Sequence, residues 1–124
     1  MKRVLLVGID PDKVDYSDPA LPPGVNAERI HAGIKLALAD MTGRGWHAEV
    51  CSIDPDDTAV PTLESRLAGE PYDCVVIGAG VRLPPSKLHL FEALINAIRR
   101  ARPETAIAFN TRPDDSGAAA ARWI

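Results

Sequence analysis

Four short apolar runs alternate with four stretches of helical periodicity, and that alternation leaves few folds open to this chain. Residues 4–9 form the first run, and Gly8, Asp10 and Pro11 stop it as a strand. Asn26 is placed to cap a first helix that carries Ala27, Ile30, Ile34, Leu38 and Met41 on one face, with Gly43 and Gly45 ending it. Residues 46–53 read as a second strand, whose polar His47, Glu49 and Ser52 indicate a sheet edge. Asp56 or Asp57 is expected to cap a second helix that stops at Gly69. Residues 74–77 are apolar at every position, as a central parallel strand buried on both faces requires. Ser86 is expected to cap a third helix with the stripe Leu88, Phe91, Leu94, Ile95 and Ile98, which Pro103 terminates. Residues 105–109 form a fourth strand, and Asp114 or Asp115 opens a last helix over residues 118–124.

Regular strand–helix alternation with short connections means parallel strands joined by right-handed crossovers. The first and third runs are the most apolar, so they belong inside the sheet. The expected fold is therefore α/β: a three-layer, doubly wound parallel sheet of four strands in the order 2-1-3-4, flavodoxin-like but lacking the fifth strand. A chain of 124 residues fits one domain, residues 1–124. In that topology the first helix stands alone on its face, and the second and third share the other. The last helix, with its alanines and Trp123, is expected beside the first, Trp123 supplying most of its buried area. The fourth strand would then be an apolar edge with no charged gatekeeper, which predicts a homodimer. Cys51 and Cys74 would lie two strand spacings apart, about 9–10 Å, too far for a disulfide. They are expected as buried free thiols.

Net charge is −3, so the chain carries no positive field to hold nucleic acid or an acidic membrane surface. The opening Met1-Lys2-Arg3 and the apolar run after it look superficially like a signal peptide. Asp10, Asp12 and Asp15 interrupt any apolar core of one, and a cytoplasmic location is expected.

The stretch Tyr72-Asp73-Cys74-Val75-Val76-Ile77-Gly78-Ala79-Gly80-Val81-Arg82, the later Leu90-Phe91-Glu92-Ala93-Leu94-Ile95-Asn96 and Phe109-Asn110-Thr111-Arg112-Pro113, and the closing Arg122-Trp123 resemble a group of short uncharacterised bacterial proteins. The similarity runs over nearly the whole chain and includes Val4-Leu5-Leu6-Val7-Gly8 and Asp10-Pro11. That group has no established activity, so the resemblance implies a compact bacterial domain and nothing catalytic.

In an open α/β sheet, ligands bind outside the carboxyl ends of the strands, where the strand order reverses. Here that point lies between the first and third strands. The candidate ligand-binding residues are Asp10, Gly78 and Gly80, then Arg82, and Asn110, Thr111 and Arg112 after the fourth strand. Arg82 and Arg112, beside Asn110, Thr111 and Ser86, have the chemistry to hold a carboxylate or phosphate. The long, proline-rich connection of residues 10–25 is expected to cover the site, with Tyr16 and Leu21 closing it.

Other chemistries fit less well. A phosphorylatable receiver needs an aspartate ending the third strand, where Ile77-Gly78-Ala79 stands. A flavin phosphate loop cannot be built from Asp10-Pro11-Asp12-Lys13, whose carboxylates repel phosphate. Gly78-x-Gly80 is a fragment of a dinucleotide fingerprint; it leads to Pro84-Pro85, and a positive-φ turn explains it more simply. His31, His47 and His89 join no nucleophile. Nine of the eleven aspartates fall in loops at one end of the sheet, where helix N-termini favour them. A Mg²⁺ site at Asp10 and Asp54 is the functional alternative. The reading is a non-catalytic domain, with no cofactor or metal, that binds a small anionic ligand or a protein partner. The alternative is a Mg²⁺-dependent hydrolase using the rim aspartates.

Overall fold

In the computed structural model, which describes residues 1–124, strands β1 (Arg3–Ile9), β2 (His47–Ile53), β3 (Cys74–Ile77) and β4 (Ala106–Phe109) form one parallel sheet in the order β2-β1-β3-β4. Val7 of β1 lies opposite Cys51 on one side and Ile77 on the other. Five helices connect and follow the strands: α1 (Ala27–Gly43), α2 (Ala59–Gly69), α3 (Ala79–Arg82), α4 (Leu88–Ala101) and α5 (Ser116–Ala121). None is long and apolar enough to cross a membrane.

Strand alternation sends side chains to two separate cores. Leu5, Val7, Cys51, Ile53, Val75 and Ile77 pack with Leu63 and Leu67 of α2 and with Leu94 and Ile98 of α4. Val4, Leu6, Cys74, Val76 and Ala108 pack on the opposite face with Ala37 and Met41 of α1 and Ala119 and Ala120 of α5. Burying each large aliphatic side chain of this kind stabilises the fold by about 1.5–3 kcal/mol. Cys51 and Cys74 thus belong to opposite faces of the sheet, both as buried free thiols. Burial, with Asp73 adding to it against Arg122, pushes the Cys74 thiol up to about 12.

The helix ends follow their local chemistry, with three corrections. Asn26 caps α1 by accepting from the Arg29 N–H at 2.9 Å. At the other end Gly45 adopts φ 84°, and the N–H groups of Gly45 and Trp46 return to the carbonyls of Thr42 and Met41. This is the Schellman closure that a left-handed glycine permits. Thr58, not Asp56 or Asp57, occupies the cap position of α2; the Asp56 carboxylate instead accepts from the Thr58 N–H and hydroxyl. Ser86 lies inside a short 3-10 turn, and Lys87 precedes α4 with no side-chain cap. The last helix begins at Ser116 and ends at Ala121, so it is displaced towards the amino terminus. It packs beside α1 as expected, but through its alanines; Trp123 falls beyond it and is 63% exposed.

Both sheet edges carry an arginine on an outward carbonyl. Arg66 of α2 donates to Val50 of β2 at 3.0 Å, and Arg122 donates to Phe109 of β4 at 3.0 Å. The β4 edge therefore does have a charged gatekeeper, and the bare edge from which a homodimer was expected is partly occupied within the chain. On β2, Glu49 gathers Arg66, His47, Arg3 and the Tyr72 hydroxyl. Burial works to raise the Glu49 carboxyl, but Tyr72, Arg66 and His47 outweigh it and hold the group below its usual range.

Candidate functional site

The α1 face of the sheet is not filled to its carboxyl end. There the strands present Leu6 and Gly8 of β1 beside Val50 and Ser52 of β2. Gly8 has no side chain to occupy the space: a Cβ built on it meets nothing within 4 Å. Above it, α1 meets the loop after β4, where Gly33 packs against Pro113. A Cβ at Gly33 would lie 3.0 Å from Pro113 Cβ. A cleft of about 460 Å³ lies between sheet and helix, within the roughly 300–1,000 Å³ typical of small-molecule sites.

Ile30 and Ile34 of α1 form its roof. Residues 78–81 and 110–114 form the side wall, so the cleft straddles the ends of β1 and β3, where the strand order reverses. Val14, Leu21, Pro22, Pro23 and Val25 close the front, which puts the long connection over the cleft. The lining is predominantly apolar.

The seven residues singled out from the sequence divide at this site. Gly78, Gly80, Asn110, Thr111 and Arg112 line the cleft; Asp10 and Arg82 do not. The Asp10 carboxylate turns back to accept from the Asp12 N–H at 3.0 Å. Arg82 runs along the outer side of the wall, donating to the Asn110 carbonyl at 2.9 Å with its guanidinium over the Phe109 ring. It clips the loop after β3 to the loop after β4. The Asn110 side chain, 2% exposed, is also committed within the fold. It accepts from the Ala79 N–H at 2.8 Å and donates to the Ser116 hydroxyl at 3.0 Å.

Gly78 is a glycine for a reason other than the positive φ expected of it. Its backbone is extended at φ −69°, and it opens directly onto the single turn of α3. A Cβ there would sit 3.3 Å from the Val7 carbonyl, so close approach to β1 disfavours a side chain. Thr111 and Arg112 are exposed, and their N–H groups point to the Asp115 carboxylate, which the Thr111 hydroxyl also reaches. Burial works to raise the Asp115 carboxyl, but the Thr111 donors, the Arg112 N–H and the Arg112 charge hold it below its usual range.

The loop and the aspartates are arranged differently from the two readings given above. Tyr16 does not close the cleft; its hydroxyl donates to the Pro11 carbonyl at 2.5 Å. Asp10 and Asp54 form no paired carboxylate site: the Lys13 ammonium sits on Asp54 at 2.9 Å, and no three His, Cys, Asp or Glu side chains are grouped as metal ligands would be. Lys13 is itself raised by that hydrogen bond and by the charge of Asp54.

No protein-family model matches the chain, and no curated protein matches it. The site is therefore read from its own geometry. Sequence reasoning missed the α1 wall altogether. Arg29, Ile30, Gly33 and Ile34 recur at helical spacing, and the chain signalled them only as one face of a helix.

Proposed function

We propose that this chain is a binding domain for a small, largely apolar molecule held in the cleft between α1 and the carboxyl ends of β1 and β2. One observation carries the reading: the floor at Gly8 is open where a side chain would complete the core. Interiors are otherwise packed to crystal-like density, so a preformed apolar gap of this size at the switch point is the default place for a ligand. The lining contains no histidine, cysteine, lysine or glutamate, and Asp114 is its single carboxylate. With no general base beside a nucleophile, binding is favoured over catalysis. A hydrolase built on Asp10 and Asp54 loses its support, since Lys13 neutralises Asp54 and Asp10 caps a turn.

The test is to fill the floor. Gly8 has no positive φ, so Gly8→Leu is compatible with the strand and directs its side chain into the cleft. The wild-type chain is expected to enhance the fluorescence of anilinonaphthalene sulfonate, and Gly8→Leu to abolish that enhancement with an unchanged circular dichroism spectrum. Equal enhancement in both proteins would place the dye elsewhere and remove the reading.

A further inference from the structure

The charged groups lining the cleft do not balance. There are three, Arg29, Arg112 and Asp114. Arg112 Nε donates to the Asp114 carboxylate at 2.9 Å, so those two cancel. Arg29, in the first turn of α1, takes part in none of the ion pairs of the molecule. Its guanidinium lies against Gly24: a Cβ there would fall 3.1 Å from Nη1, and Gly24 holds φ 78°. The front of an otherwise apolar cleft thus carries one uncompensated cation.

The opposite wall has no such capacity. Three of its amides are already taken. Ala79 N–H is bound by Asn110 Oδ1, and the N–H groups of Thr111 and Arg112 by the Asp115 carboxylate. Asp115 adds negative charge on that side. A dianion would meet one guanidinium without a carboxylate partner, the Arg112–Asp114 pair and the Asp115 carboxylate. A monoanion needs only the one guanidinium, whose planar fork matches a carboxylate in two parallel hydrogen bonds.

We propose that the ligand is an amphipathic carboxylate, a single carboxylate on an apolar body, with the carboxylate on Arg29 and the body over Gly8 beneath Ile30 and Ile34. This rests on the binding reading above and specifies the chemistry of its ligand. It also separates the carboxylate from the phosphate that the sequence left equal, and moves the anchor from Arg82 to Arg29.

The experiment titrates three probes with one chain length, octanoate, octanol and octyl phosphate, into the full chain, following the backbone amides by heteronuclear NMR. Octanoate is expected to bind about tenfold more tightly than octanol, the usual worth of one charge-assisted contact at an exposed mouth. Octyl phosphate is expected to bind more weakly than octanoate. Arg29→Gln should bring octanoate down to the level of octanol and leave octanol unchanged, and Arg29→Lys should restore part of the preference. Equal binding of octanoate and octanol to the wild type would overturn the carboxylate and leave the apolar cleft standing. So would tightest binding of octyl phosphate, or a preference that survives Arg29→Gln. If none of the three shifts the amides of residues 8, 30 or 80, the binding reading fails and this inference with it.

Discussion

Asn110 shows how a polar residue at a strand end can be structural while looking functional. Its amide joins the start of α3 to the start of α5 through two hydrogen bonds, one buried and one partly buried. Truncation would orphan the Ala79 N–H and the partner on Ser116, and an unmade buried bond costs more than a made one contributes. Asn110→Ala is expected to lower stability by about 2–3 kcal/mol, measured from urea midpoints at constant slope. A loss within experimental error of zero would mean that water replaces both contacts. Arg82 joins the same two loops from the outside of the wall through the Asn110 carbonyl.

At the level of elements, α1 is more deeply buried toward its carboxyl end than where it roofs the cleft. Met41 and Ala37 are fully buried near its carboxyl end, while Ile30 and Ile34 are only partly covered. Gly33 packs closely against Pro113 at the less covered end. Alanine is the better helix former by about 1 kcal/mol, yet at this position its methyl group would press a proline ring held in a short turn. Gly33→Ala is therefore expected to destabilise the chain by about 1 kcal/mol, the overpacking exceeding the propensity gain. Gly43→Ala is the matched control. A Cβ there meets nothing within 4 Å, so the same substitution should stabilise by about 0.5 kcal/mol. Thermal melts of the two variants should move in opposite directions; a gain at both positions would show that α1 is free to shift away from Pro113.

For the molecule as a whole, the titrating groups shape a stability profile with two falling limbs. Glu49 and Asp115 have carboxyls held low in the folded chain. Such a group contributes stability above its unfolded pKa and loses it as pH falls through the folded value. The acid limb should therefore begin below about pH 4, the ordinary carboxylate range. Cys51 and Cys74 are raised chiefly by burial. A raised group contributes fully below its unfolded pKa and loses that contribution as pH climbs, so the alkaline limb should begin above about pH 8.5. Urea midpoints measured across pH test both limbs, and Glu49→Gln should flatten the acid one. An acid limb unchanged in Glu49→Gln would assign that loss of stability to other carboxylates.

The sequence by itself determined the strand order, the division of the helices between two faces, the capping of α1 and the isolation of the two cysteines. Each of these follows from a period, a capping side chain or the handedness of a crossover, and such features act over a few residues or by a general rule. The site was legible only in part. Gly78, Gly80, Asn110, Thr111 and Arg112 could be found because the switch point names the ends of strands. Arg29, Ile30 and Gly33 could not, and Asp10 and Arg82 pointed elsewhere. A cleft is the space left between elements, and its walls here come from residues as far apart in the chain as Leu6 and Asp114. Periodicity records which face of α1 turns inward, but not that Gly33 packs on Pro113 or that the space over Gly8 stays open. The open space, and the lone cation at its mouth, depend on how α1 meets a loop from the other end of the chain.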